Sequence, residues 1–242
     1  MIGEVYIKNG GCKEVKLSWY FGRMCYISSI MVITHYGGEF FKIQFGDATL
    51  ALNPVSKDSK LKSARFGADV ALVSLDNPDF NGVDQIGFGE KMPFIISGPG
   101  EYEIKGIFIK GFGSVSKYGG AEHINTIYSI SLENMNLCFL GALGTHDLPA
   151  EIKEALGDID IVFLPIGGDG VLTAAEANKL ATALEPKMII PMHFDGVGDK
   201  GALTKFLKES GSEDVKPVEK LTIKKKDLEG KEGDVVVLSS QA

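Results

Sequence analysis

The chain predicts two β-sheets packed face to face, with helices covering their outer sides. Three observations predict it. Short β-rich runs punctuated by glycine turns fill residues 31 to 140, and from residue 145 helices alternate with apolar strands. No Ser/Pro-rich linker, low-complexity block or long charge run divides the 242 residues. The same pattern also fits a doubly wound sheet with a β-rich extension, so periodicity alone leaves two architectures open.

Residues 1–30 mix short apolar patches with Gly10-Gly11 and scattered lysines, without a sustained period. They read as an N-terminal extension, either poorly ordered or contributing an edge strand around Val5 to Ile7, with 31–242 as the main domain. From Met31 a β-meander follows: Val32–Thr34, Phe40–Gln44 and Ala48–Leu52, with turns at Gly37-Gly38 and Gly46-Asp47. Further strands are expected at Val70–Leu75, Ile95–Ser97, Ile107–Ile109, Thr126–Leu132 and Leu137–Leu140. DLPAEIKEALGD has Pro149 early, an apolar face of Ile152, Ala155 and Leu156, and Gly157 as a stop, so it reads as a short helix. IDIVFLPIGG and KMIIPMHF are apolar throughout, the pattern of strands buried on both faces. TAAEANKLATALEP opens with the capping-box pair Thr173 and Glu176. KGALTKFLKES is a further helix, and DVVVLSS a closing strand.

Composition narrows the function. With 242 residues, 44% of them hydrophobic, the chain is long enough to bury roughly 70–75% of its unfolded surface. A net charge of -7 works against nucleic acid as a partner. The apolar runs fall short of the roughly 18 residues that a membrane span needs, and the N-terminus has no signal-peptide core. Cys12, Cys25 and Cys138 form no C-x-x-C pair, which reads as reduced thiols in a cytoplasmic protein.

Four segments, in order, carry a resemblance. MVITHYGGEFFKI, SGPGEYEIKGIFIKG, NTIYSISLENMNLCFLGALG and LEPKMIIPMHF resemble the metallo-β-lactamase-fold hydrolases, in the branch of small metal-dependent hydrolases related to sugar-phosphate lactonases. The similarity runs from Met31 to about Phe194. It implies an αββα sandwich with the site at one edge, between the sheets. In that family a bound metal lowers the pKa of water to about 7, using an H-x-H-x-D-H turn, a later His, an Asp and a last His.

Laid onto this chain, the turn's first two histidines fall on Leu75 and Asn77, its aspartate on Asp79 and its third histidine on Phe80. The later histidine falls near Ser116, the bridging aspartate on Ala142 and the last histidine on His193. The family's early Gly-His-Ser and Asp-Pro motifs stand as Gly37-Gly38-Glu39 and Asn53-Pro54. Leu and Phe have no lone pair to give, and an Asn amide oxygen is a poor zinc ligand. Only Asp79 and His193 keep ligand character.

Each survivor has a structural reading beside the metal one. Asp79 fits a turn residue that satisfies backbone N–H groups in DNPDFNG, and His193 a hydrogen-bonded histidine ending a strand. His146 is offset from the family position, and His35 and His123 have no convergent partner. If any metal binds, Asp76, Asp79 and His193 are its expected ligands, with Asn77 and Asn53 as further oxygen donors. Gly167, Gly168 and Gly170 lie before a helix start where an anion could bind, against a plain strand-to-helix connection. The expectation is therefore a hydrolase homologue with no catalytic residues and no cofactor beyond a weakly held divalent metal. It would bind a small molecule or a protein partner, and the resemblance adds a homo-oligomer. The alternative is a hydrolase of small phosphorylated or lactone-like substrates with a rearranged site.

Overall fold

The computed structural model describes residues 30–87, 89 and 92–242, together with the strands at 4–7, 15–20 and 23–24. Those three strands, β1 (Glu4–Ile7), β2 (Val15–Tyr20) and β3 (Arg23–Met24), pair antiparallel in a sheet of their own. The strand foreseen at Val5–Ile7 thus lies in that small sheet rather than on the edge of a larger one. Cys12 and Cys25 lie outside the described residues.

The meander from Met31 forms as its alternation requires. β4 (Met31–His35), β5 (Phe41–Phe45) and β6 (Ala48–Leu52) pair antiparallel. Met31, Ile33, Phe41, Ile43 and Phe45 point into the core, while Val32, Thr34, Lys42 and Gln44 alternate with them on the other face. β7 (Val70–Leu72) and β8 (Phe94–Ile96) continue the sheet in parallel, and β15 (Lys220–Ile223) returns late in the chain beside β4. β15 was not foreseen, because four residues flanked by lysines give little period to detect.

The second sheet has seven strands. β9 (Gly100–Ile104), β10 (Ile107–Ser116), β11 (His123–Leu132) and β12 (Met135–Phe139) run antiparallel. β13 (Ile161–Pro165), β14 (Met188–Met192) and β16 (Asp234–Val235) then follow β12 in parallel. β10 runs seven residues past the predicted Ile109, carried through Gly111 and Gly113, which let Pro99 approach the strand closely. The expected closing strand shrinks to β16, followed by a single bridge from Leu238 to Val218.

Strands divided between two sheets exclude the doubly wound alternative. The main core lies between the sheets and joins Ile33, Phe41 and Leu50 to Tyr128, Phe139 and Phe163. α1 (Ala150–Leu156), α2 (Ala174–Leu184) and α3 (Ala202–Glu209) all pack on the outer face of the seven-stranded sheet, where Leu156, Ala177, Leu180 and Phe206 meet Val162 and Leu164. The opposite outer face departs from the expected helix cover. Among the described residues it is covered by loop side chains and a single 3-10 turn (Val83–Gln85) instead, Val55, Leu61, Ala64, Phe66 and Ile86 packing on Phe40, Ala51 and Ala71. Pro54, Pro78, Gly67 and Gly82, with the polar residues between them, keep these connections from sustaining a helix.

Candidate functional site

The strand ends at one rim of the sandwich hold two layers of side chains. The lower layer is polar and buried. Glu39, Asn53, Ser74, Asn125 and His193 are each 3% exposed or less. Glu39 stands between two strand ends: its Oε2 accepts from Asn53 Nδ2 at 2.8 Å, and its Oε1 lies 2.7 Å from His193 Nδ1. An ionised carboxylate can only accept, which places the imidazole hydrogen on Nδ1 when Glu39 carries its charge. Asn53 also donates to Ser74 Oγ at 2.8 Å, and its Oδ1 accepts from the Ser74 main chain at 2.8 Å. Asn53 and His193 both sit at positive φ, 42° and 62°, which non-glycine residues rarely adopt. Gly141 is obligatory beside them, because a Cβ there would meet the Ser74 side chain at 2.4 Å.

The upper layer is apolar. Leu75, Phe80, Ala142 and Val171 form one buried cluster, with Tyr118 packed against it. The Phe80 ring lies 6.3 Å from the His193 ring and 5.0 Å from that of Tyr118. Tyr118 meets His193 edge-on, centroids 5.2 Å apart and planes at 90°. His193 Nε2 is buried among these rings without a hydrogen-bond partner among the described residues, as is Asn125 Oδ1.

The predicted site residues divide between these layers. Leu75, Phe80 and Ala142 come together, with His193 below them. Ser116 is buried and accepts from the Tyr118 main chain at 3.2 Å. Asp79 does not serve the local backbone as the turn reading required. Asn77 does so, its Oδ1 accepting from the Asp79 main chain at 3.0 Å and its C=O from the Phe80 main chain at 2.9 Å. The Asp79 carboxylate instead accepts from the Tyr118 hydroxyl at 2.5 Å and from the Ser59 hydroxyl. Burial first, then the Asp79 carboxylate, pushes the Tyr118 phenol well above its usual range, so Tyr118 stays a donor. Asp76 is exposed and accepts from Asn81 at 2.9 Å.

Among the described residues no three His, Cys, Asp or Glu side chains are grouped so as to hold a metal ion. Asp76, Asp79 and His193 therefore do not form the ligand set the sequence proposed. Asn53, offered as an oxygen donor, spends its amide on Glu39 and Ser74.

Other candidates fall elsewhere. His146 lies 3.8 Å from Glu176 at the start of α2. His35 is fully buried, with ring nitrogens 3.2 Å from Leu238 O and 3.3 Å from Gly38 O. The Gly167–Gly170 turn is a strand-to-helix connection: Gly168 N–H bonds Leu172 O, and Thr173 and Glu176 cap α2 reciprocally. A Cβ on Gly168 would meet the Asp199 carboxylate at 2.9 Å, so negative charge already stands there. Sequence reading missed Glu39 as the partner of His193, and it missed Tyr118 and Val171 altogether. Glu39 alone gave a signal, as the altered third residue of an early motif.

The fold agrees with comparison to known proteins. A family model described as the beta-lactamase superfamily domain matches residues 32–193. The chain belongs to the beta-lactamase superfamily. Its fold is the metallo-β-lactamase sandwich of two mixed sheets. A UPF0173 metal-dependent hydrolase of Pyrococcus abyssi is 24% identical over 171 residues, which cover 69% of this chain and 66% of the relative. This chain thus spans just under two-thirds of that relative's length. A similarly named protein of Lysinibacillus sphaericus is 25% identical over 196 residues, 68% of this chain and 86% of its own. The crystal structure of a candidate Zn-dependent hydrolase of the superfamily from Thermotoga maritima is 27% identical, with a TM-score of 0.66 over 86% of this chain and 98% of that one. A metallo hydrolase of Ignicoccus hospitalis shares the fold, at a TM-score of 0.57 and 17% identity over 87% of this chain and 96% of its own.

The relatives' names imply a metal, and the residues here do not fit one. An ion in the upper layer would face Leu75, Phe80, Ala142 and Val171, none of which has a donor. Of the ligand-type groups beside it, Asp79 already serves two hydroxyls, Glu39 is held by Asn53 and His193, and His193 offers a single nitrogen.

Proposed function

We propose that this superfamily member has lost the hydrolytic metal centre and acts by contact with other molecules, as a binding or assembly protein. One observation carries the reading: three of the positions matching the family's ligands, Leu75, Phe80 and Ala142, lie in a packed apolar cluster, with the aromatic rings of Phe80 and Tyr118 against the last histidine. Apolar side chains there strip a metal of ligands and exclude the water it would activate. Outside the cluster a cleft of about 440 Å³ remains, lined by Ser59, Lys60, Asn77, Asp79 and Tyr118 among others. A small polar molecule would have to bind there, above the filled position.

Elemental analysis of protein purified without chelator tests the proposal. The expected result is far less than one equivalent of zinc, manganese or iron per chain, with a melting temperature unmoved by chelator. A second reading, a rearranged metal-dependent hydrolase, draws on the unpartnered His193 Nε2 and on the relatives' names. Near-stoichiometric metal that disappears in Asp79→Ala or His193→Ala would establish that reading instead.

A further inference from the structure

Among the described residues the two larger sheets have four edges without a paired strand, and three of them are guarded. β15 starts at the exposed Lys220, β9 carries exposed Glu101 and Glu103, and β16 has two residues, one of them Asp234. Charge on an edge and a very short edge are the devices that keep a sheet from pairing with another chain. β8 has no charge. From Met92 to Gly100 the sequence is MPFIISGPG, and Met92, Phe94 and Ile95 are 52%, 53% and 43% exposed.

Hydrogen bonding shows which way this edge faces. Phe94 N–H donates to Asp69 O at 2.8 Å, and Ile96 O accepts from the Val73 main chain at 2.9 Å, so Phe94 and Ile96 turn their polar groups to the β7 side. By the alternation of a β-ladder, the N–H and C=O of Ile95 point outward from the sheet. A strand is the group that satisfies such an edge.

We propose that β8 pairs antiparallel with β8 of a second copy of this chain, about a two-fold axis at Ile95, joining the two six-stranded sheets into one. The pairing is self-complementary. Ile95 N–H and C=O would meet the C=O and N–H of the partner's Ile95, and Ser97 N–H would meet the C=O of the partner's Pro93. Pro93 has no N–H, which ends the ladder and fixes its register. Phe94 would lie opposite the partner's Ile96 and Met92 opposite its Gly98, so no charge faces another across the pairing. The same pairing at β9 would set Glu101 and Glu103 of two negatively charged chains together, which is why β8 is chosen. The inference is independent of the fate of the metal site.

Sedimentation of the full chain tests it. Wild type is expected to be a dimer. Ile95→Lys, which places two ammonium groups at the axis, should raise the dimer dissociation constant roughly 100-fold or more while leaving far-ultraviolet circular dichroism unchanged. Ile95→Cys should form an intermolecular disulfide on mild oxidation, since paired Cα atoms about 5.5 Å apart are within reach, and Glu101→Cys on β9 should not. A monomer at the highest soluble concentration overturns the proposal. So does a dimer that survives Ile95→Lys, or an Ile95→Cys protein that fails to cross-link above wild type.

Discussion

Phe80→Ala puts the filled-site argument at risk most directly. The ring is fully buried and touches groups that are themselves fixed: Tyr118 is tied to Asp79, His193 to Glu39, and Leu75 and Ala142 belong to the same buried cluster. Neighbours held this way cannot collapse into the space, so the loss should fall in the range of about 3–5 kcal/mol for a core Phe→Ala change. For a chain of this size, that corresponds to a fall in Tm of about 6–20 °C. Urea unfolding followed by circular dichroism, with and without added Zn²⁺, is the assay. The midpoint should drop with its slope unchanged, and Zn²⁺ should restore nothing, because the space opened is lined mainly by carbon. A loss under about 1 kcal/mol would mark Phe80 as an ordinary surface side chain and refute the packing argument. Recovery of stability with Zn²⁺ would refute the donor count.

Four further expectations follow from the same structure. Glu39→Ala leaves His193 Nδ1 and Asn53 Nδ2 buried without their acceptor, and should cost about 2–5 kcal/mol in the same assay; Glu39→Gln should cost less. Burial would raise the Asp160 carboxyl, but hydrogen bonds from Lys187 and Lys225 outweigh it and hold the pKa below its usual value, so the stability it contributes is present at neutral pH and lost as pH falls through the folded pKa; Asp160→Asn should flatten the acid limb of a stability–pH curve. His35 is shifted in the same direction by a different cause: burial lowers its pKa below 6.5, so the folded state resists protonation, and stability is full above pH 6.5 and declines below it, with a smaller decline in His35→Gln by urea unfolding at pH 8 and 5.5. Burial pushes the Cys138 thiol up to about 12, so it should resist alkylation at pH 8 until the chain unfolds, as peptide mapping by mass spectrometry would register.

Legibility in the sequence differed from element to element for physical reasons. β4, β5 and β6 were readable because one face is buried and the other is not, which prints period two on the chain. β13 and β14 were readable as unbroken apolar runs, and α2 by its capping pair. β15 escaped because its position is set by the partner strand β4, a contact with residues nearly two hundred positions earlier. In the site, Leu75, Phe80 and Ala142 at positions matching the family's ligands were plain from residue identity, and so was their lack of an electron pair to give. Asp79 was misjudged because its partners, Ser59 and Tyr118, lie 20 and 39 residues away.

The sequence by itself determined which side chains stand at the positions matching the family's ligands, and Leu75, Phe80 and Ala142 there have no lone pair to give. It determined the sheets' inward faces as well, through the alternation of apolar and polar residues. Only the tertiary structure decided what surrounds the positions that match the family's ligands. Glu39 meets His193 across 154 residues, and Phe80, Ala142 and Val171 meet from separate loops. Such contacts depend on how the two sheets are brought together, and no local pattern in the chain encodes that distance.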